Sequence, residues 1–483
     1  MGNKFDNVKE HKVFEHFYNI NQIPRGSFHE EAISNYLVAW AKERGFYVYQ
    51  DQLKNVLIRK PASKGSEHKK GIVLQAHIDM VCEKTPESTH DFLNDPIPWV
   101  VEGDWLTTGG ETTLGADDGI GVALAMALLE DDTLEHPVLE ALFTVAEEED
   151  LSGAIEFDTS LLHSSYLINL DNSQESEILC GSCGGEAIEL TIPLTWNEIP
   201  EGWSAFELSL TGLKGGHSGE DIHRGHGNAN EMLARLLMEL ERRTEYALCS
   251  LIGGTFRLAI PREAKCTLVF PAQNETAVQT FIAEFTTMLK KEYQSAAEAL
   301  EISLITCTDT FAKCCSARDL VSCTLLSPNG IRQMNSEFEH LVSSSVNLGE
   351  LHLEENQFRL VYEIRSASAS GRNYIANIII RLADLFRGTS KIHSAYPSWT
   401  YQPHSLLRTT AKKVFEAHLG KAPRVYPVHS GLECGCFFET KEDLDAISIG
   451  PDCFGLHSPE ERLNIPSSFR IYEILKKLLC NLD

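Results

Sequence analysis

The chain has 483 residues, too many for one ordinary hydrophobic core, so two or three domains are expected. Hydrophobic residues make up 43% and charged residues 23%, a globular composition that sets aside a disordered chain. A formal net charge of -27 repels phosphate backbones and argues against a nucleic-acid partner.

The opening stretch MGNKFDNVKEHK is polar and charged, unlike a secretory leader. It only partly matches a myristoylation signal, because Asp6 stands where Ser or Thr is required. Thirteen scattered cysteines, an odd number, then fit reduced thiols in a cytoplasm. No apolar run approaches the ~20 residues of a membrane helix, so no membrane partner is expected.

Taken in chain order, EEAISNYLVAWAKERG has apolar residues at helical spacing and ends in glycine. NVLIRK and GIVLQAH read as strands, and GIGVALAMALLED as a buried helix. PVLEALFTVAEEE and SYLINLDN read as further strands. Strands alternating with helices predict an α/β domain with a mainly parallel sheet. After CGSCGGEA the segments AFELSLTGL, ANEMLARLLMELERR, ALCSLIGG, KCTLVF, TAVQTFIAEFTTMLKKEYQ and EISLITCT follow. They give strand, helix, strand, strand, helix, strand, the order of a ferredoxin-like α+β unit. More strand and helix follow from about Gln357 to Phe386. From about Ser398 helix and short strands return, and DAISIGP reads as one more strand of the first sheet. The organisation expected is one catalytic domain, residues 1–185 and 398–483, interrupted by an inserted domain at residues 186–397.

Several apolar strands run out into acids or histidine. His77 and Asp79 follow GIVLQA, Glu147 to Asp150 follow ALFTVA, and Asp171 follows YLINL. TTLGADDG sets Asp117 and Asp118 before a helix, and His457 lies in GLHSPEE after a strand and turn. Side chains alternate along a strand, so His77 and Asp79 share a side. Sites in open α/β sheets lie beyond the carboxyl ends of the strands, where these residues can converge. Imidazole and carboxylate together suit zinc, cobalt or manganese, and two such ions need a bridging carboxylate with further ligands on each. Each residue alone has a plainer explanation: a helix cap for Asp117 or Asp118, a solvated loop for residues 147–150, an Asx-turn for Asp171. Together those explanations require five coincidences at one kind of topological position.

The ordered motifs QAHIDMV, TTLGADDGIG, TVAEEEDLSGA, NLDNSQE, GGHSGEDI, IPREA, HSGLECG and HSPEERL span nearly the whole chain. In that set the chain resembles the aminoacyl-histidine dipeptidases, cytosolic dinuclear zinc exopeptidases with an inserted lid domain. The resemblance implies His77 and Asp171 on one metal ion, Glu148 and His457 on the other, and Asp117 bridging. It implies Asp79 as the residue that orients His77, and Glu147 as the general base that takes a proton from water. Three consecutive glutamates leave the register open by one or two positions; alignment of the following SGA selects Glu147 and Glu148 and leaves Glu149 solvated. His217 resembles a lid histidine that steadies the oxyanion, within its own chain or across a homodimer. Arg365 resembles a lid arginine that grips the substrate carboxylate; the alternative is an exposed strand residue.

Two departures from the family pattern stand out. Leu258 replaces an asparagine before AIPRE, and Asp118 stands where relatives often carry asparagine. The expected activity is hydrolysis of dipeptides, with preference for C-terminal histidine. Leu258 keeps open a broader di- or tripeptidase or an acylamino-acid deacylase, and a catalytically silent peptide-binding scaffold is the reading from another class. The Cys180–Cys183 spacing lacks a second pair for a zinc ribbon. GIGVALA lacks the preceding strand of a dinucleotide fold, and no G-x-S-x-G elbow occurs.

Overall fold

The computed structural model describes residues 8, 10–441 and 443–482; Asp6 of the partial acylation signal lies outside the described residues. The chain divides into two compact units. The first comprises the chain up to Ser182, Trp399–Val428 and the chain from Leu432 onward; the second comprises Cys183–Ser398 and His429–Gly431.

The first unit is built on an eight-stranded sheet. Its spatial order is Tyr47–Gln50, Val56–Lys60, Leu139–Thr144, Ile72–His77, Tyr166–Asn169, Asp445–Ser448, Glu177–Leu179, Arg424–Tyr426. The four central strands from Leu139–Thr144 to Asp445–Ser448 run parallel, whereas the Tyr47–Gln50 edge is antiparallel. The apolar runs read as strands because they are covered on both faces. Ile72, Leu74 and Ala76 enter one core cluster while Val73 enters another, and Leu139, Ala141 and Phe143 part from Leu142 in the same way. The helix Ala116–Glu130 is buried on every side, with no polar stripe, and packs on the helix Lys12–Asn21 and the strand Ile72–His77. A separate four-stranded sheet pairs Cys453–Phe454 with Arg462–Asn464 and so shapes the loop carrying His457.

Two apolar runs end as strands earlier than their composition suggests. Leu139–Thr144 stops three residues before Glu147, and Tyr166–Asn169 stops two before Asp171. In both cases the polar residues leave the sheet at its carboxyl edge.

The second unit has its own core around an eleven-stranded sheet. At one end stand Glu301–Thr306, Trp203–Thr211, Ala264–Pro271 and Ala247–Gly253, all antiparallel. With the helices Ala229–Leu240 and Glu275–Tyr293 they make the ferredoxin-like unit. That unit is only part of the sheet. The ladder continues through Val342–Leu353, Gln357–Ser366, Gly184–Pro193 and Thr389–Tyr396. Among the described residues no helix is long and apolar enough to cross a membrane.

Candidate metal centre

His77 is the last residue of its strand and is buried to 1% exposure. Its Nε2 lies 3.1 Å from Asp117 Oδ1 and 3.8 Å from Asp171 Oδ1. The other Asp117 oxygen, Oδ2, lies 3.2 Å from His457 Nε2, which is also 3.1 Å from Glu148 Oε2. Asp117 thus presents one oxygen to each histidine. Three overlapping groups of ligand atoms gather within 4.8 Å: His77, Asp117 and Asp171; Asp117, Glu148 and His457; and His77, Glu147 and Glu148. Glu149, the third glutamate of the run, is exposed and joins none of them.

The local backbone explains why Glu147 and Glu148 turn inward. After Thr144 the chain turns through Ala146 at φ 54°, a left-handed conformation uncommon for a residue with a side chain. The Ala146 amide donates to Glu30 Oε1 at 2.9 Å. Gly153, in the SGA that follows, packs so closely on this turn that a Cβ there would sit 2.2 Å from the Val145 carbonyl oxygen. Asp79 fastens the turn from below: its Oδ1 accepts from the Glu147 amide at 3.1 Å and its Oδ2 from the Glu148 amide at 3.2 Å. Asp79 Oδ1 also lies 3.2 Å from His77 Nδ1, and Ser27 donates to Oδ2 at 2.8 Å. One carboxylate therefore orients both the imidazole and the glutamate pair, a second task that strand spacing alone does not reveal.

Asp118 does not cap its helix; Gly115 occupies the cap position, with no side-chain bond. Instead Asp118 Oδ2 accepts the His77 amide at 3.3 Å. Two further residues went unnoticed in the sequence. Glu461, buried to 2%, accepts the amides of Leu114, Gly115, Ala116 and Asp117 at 2.7, 3.0, 2.8 and 3.3 Å. Arg25, buried to 1%, donates to the carbonyls of Ile78, Asp79 and Gly115. Glu461 stands inside HSPEERL, four residues past His457, and an acid beside a ligand was its one available signal.

The electrostatics are those of crowded acids in a dry place. Burial first, then like charges beside them, pushes Asp171 and Glu147 well above the ordinary carboxylate range, and Glu148 upward. Burial opposes charge on His77, but Asp117 and Asp79 outweigh it and raise its proton affinity. Glu148 Oε1 is buried with no hydrogen-bond partner among the described residues. Divalent cations compensate such a set, and two imidazoles with four carboxylates are a donor set they accept. The residues present therefore fit a divalent-metal site.

In the second unit His217 is half-buried; its amide donates to Asp221 Oδ2 at 2.9 Å. His217 and Leu258 line one cavity of about 430 Å³, with Lys214, Phe256 and Arg262. Arg365 is buried to 4%, not an exposed strand residue. Its guanidinium meets hydroxyls, Tyr396 at 3.0 Å and Ser218 at 3.5 Å, while nearby Glu363 is engaged by Arg257 at 3.0 Å. The thiols of Cys180 and Cys183 are buried, and burial pushes them up to about 11 and about 12.

Fold and site together define a metallopeptidase. Residues 208–297 match the family described as a peptidase dimerisation domain. The chain is 37% identical over 469 residues to the cytosol non-specific dipeptidase of Escherichia coli (strain K12), covering 97% of this chain and 96% of that one. It matches the crystal structure of aminoacylhistidine dipeptidase from Vibrio alginolyticus at 36% identity and a TM-score of 0.86, over 98% of this chain and 96% of that one. The aminopeptidase PepT of Bacillus cereus shares the fold at 14% identity, with a TM-score of 0.55 over 97% of each chain. The chain belongs to the aminoacyl-histidine dipeptidase family of peptidases, and it is a peptide-bond hydrolase.

Proposed function

We propose that the protein is a cytoplasmic dipeptidase that holds two divalent cations, zinc first among them, and works as a homodimer. The carrying observation is the split environment of Asp117, one oxygen toward His77 and the other toward His457. In this reading His77 and Asp171 would hold one ion, Glu148 and His457 the other, and Asp117 both. Divalent ions bound there would supply Lewis-acid polarisation of a substrate carbonyl and acidify water. Glu147 takes the proton from the attacking water and returns it to the leaving amine; burial, with Glu148 adjacent, gives it the proton affinity for both steps. Asp79 keeps His77 and the Glu147 backbone in register. Residues 186–397 serve as lid and dimerisation domain, and the match at residues 208–297 supports the second of these roles. Arg365 grips the substrate carboxylate: a buried guanidinium whose hydrogen bonds among the described residues go to hydroxyls is further compensated by an arriving anion. His217 steadies the oxyanion, as the family pattern implies.

Dipeptides with C-terminal histidine are the preferred substrates in this reading. Leu258, apolar and beside His217 in one cavity, favours a second: broader dipeptide hydrolysis. Metal-stripped protein assayed on β-Ala-His, Gly-His, Gly-Leu and an N-acetyl amino acid, before and after zinc, cobalt or manganese, separates them. Metal-restored cleavage confined to the histidine dipeptides supports the first reading, and cleavage extending to Gly-Leu the second. Failure of every metal to restore turnover to folded protein overturns both.

A further inference from the structure

Beneath the ligand cluster lies a second polar layer that the mechanism above does not use. Glu433, from HSGLECG, is fully buried at the start of the helix Cys434–Thr440. Its Oε2 accepts from Gln75 Nε2 at 2.5 Å and from Thr144 Oγ1 at 2.8 Å. Gln75 Oε1 accepts from Asn169 Nδ2 at 2.7 Å, and Asn169 Oδ1 accepts from the Asp171 amide at 3.3 Å. An unbroken chain of hydrogen bonds thus runs from Glu433 to the backbone of Asp171. It engages three adjacent strands within three residues of their carboxyl ends. Gln75 is two residues before His77 and Asn169 two before Asp171, so each occupies the row below a ligand.

The chemistry of Glu433 is as telling as its position. Its partners are neutral, and its Oε1 is buried with none among the described residues. A carboxylate so placed is costly unless a positive charge lies nearby. Cations in the ligand cluster directly above would provide one.

We propose that Glu433 is a positioning residue for the metal site: it fixes the three ligand-bearing strand ends through Gln75 and Thr144, and its buried charge raises affinity for divalent cations. This rests on reading the ligand cluster as a metal centre. The test is titration of metal-stripped full-length protein with Co²⁺, followed by visible absorption, for the parent, Glu433→Gln and Thr144→Val. Thermal melting of the metal-free proteins runs alongside.

Glu433→Gln keeps an acceptor for Gln75 and Thr144 but removes the charge. Expected is a 10- to 100-fold weaker Co²⁺ affinity, the range for residues supporting metal ligands, with the metal-free melting temperature maintained. Thr144→Val removes the hydroxyl that donates to Glu433 and to the Ala76 carbonyl and accepts from Gln75, leaves the charge of Glu433 in place, and is expected to weaken Co²⁺ binding in the same direction by less. If Glu433→Gln fails to fold, Thr144→Val carries the test. Isotherms and spectra matching the parent overturn the role of Glu433. A parent that binds no Co²⁺ overturns instead the metal reading beneath it.

Discussion

Arg25 and Glu461 hold one loop by its two opposite chemistries. Arg25 donates to the Gly115 carbonyl, while Glu461 accepts the four amides from Leu114 to Asp117. Between them the backbone that delivers Asp117 is fixed before any cation arrives. Glu461→Gln replaces acceptors with a donor that has no acceptor among those amides. The expected loss is about 2–3 kcal/mol of stability in the first unit, the range for buried groups left unpaired. Denaturant unfolding of the metal-free protein checks it; an unchanged midpoint would show that the four amides find other partners.

Glu147→Gln is expected to bind metal like the parent and lose at least ~100-fold in kcat, the scale of general-base catalysis. Glu149→Gln, at an exposed position, is expected to leave kcat unchanged. Steady-state kinetics with metal analysis of the same samples decides between them, and the reverse pattern would move the base along the run.

Asp79→Asn strikes two tasks at once. An amide keeps one oxygen, so either the Glu148 amide or both His77 and the Glu147 amide lose their acceptor. Cation affinity should fall about 10- to 100-fold and kcat with it. Equilibrium dialysis measures the first independently of the second.

Arg365→Lys keeps the charge but loses the planar fork. For dipeptides with a free carboxylate KM should rise by ~10-fold or more, while C-terminally amidated peptides, which offer no carboxylate to grip, should change little. Equal effects on both would remove Arg365 from carboxylate recognition.

His429 gives the second unit an acid sensitivity of predictable sign. Its Nδ1 lies 3.1 Å from Cys183 Sγ, and its Nε2 lies 2.7 Å from Ser345 Oγ. Burial, then nearby Arg365, push its pKa down to about 3. Unfolded, it returns to about 6.5. Between those values the unfolded chain binds a proton that the folded chain does not. Stability therefore falls as pH drops below about 6.5, by about 2 kcal/mol at pH 5. Urea unfolding at pH 7 and pH 5 should show acidification acting less favourably on the parent than on His429→Gln, by about 2 kcal/mol.

Of the candidate ligands, His77, Glu148 and Asp171 were legible because they follow apolar strand runs, and a run that gives way to histidine or acid is visible without knowing its neighbours, whereas Asp117 before its helix and His457 after its turn emerged from the motif pattern. Their supports were hidden for the opposite reason. Arg25 sits in IPRGS and Glu433 in HSGLECG, and nothing local marks either as buried. Arg25 reaches Ile78, 53 residues on, and Glu433 reaches Gln75, 358 residues back. The ferredoxin-like order was legible because its six elements are contiguous. Its continuation was not, because Gly184–Pro193 precedes that unit in the chain and joins the sheet beyond it.

The helix Ala116–Glu130 also constrains how the chain is made. Its cover includes Val13, Phe14 and Phe17 from the start of the chain and Ile471, Leu475 and Leu478 near the end. On a ribosome the helix emerges more than 300 residues before its last wall. For that interval an apolar cylinder stands partly open, a surface that chaperones bind and that aggregation exploits. Truncation before Ile465 leaves it so permanently, and such chains should accumulate as insoluble protein even though every candidate ligand, His457 included, is already present.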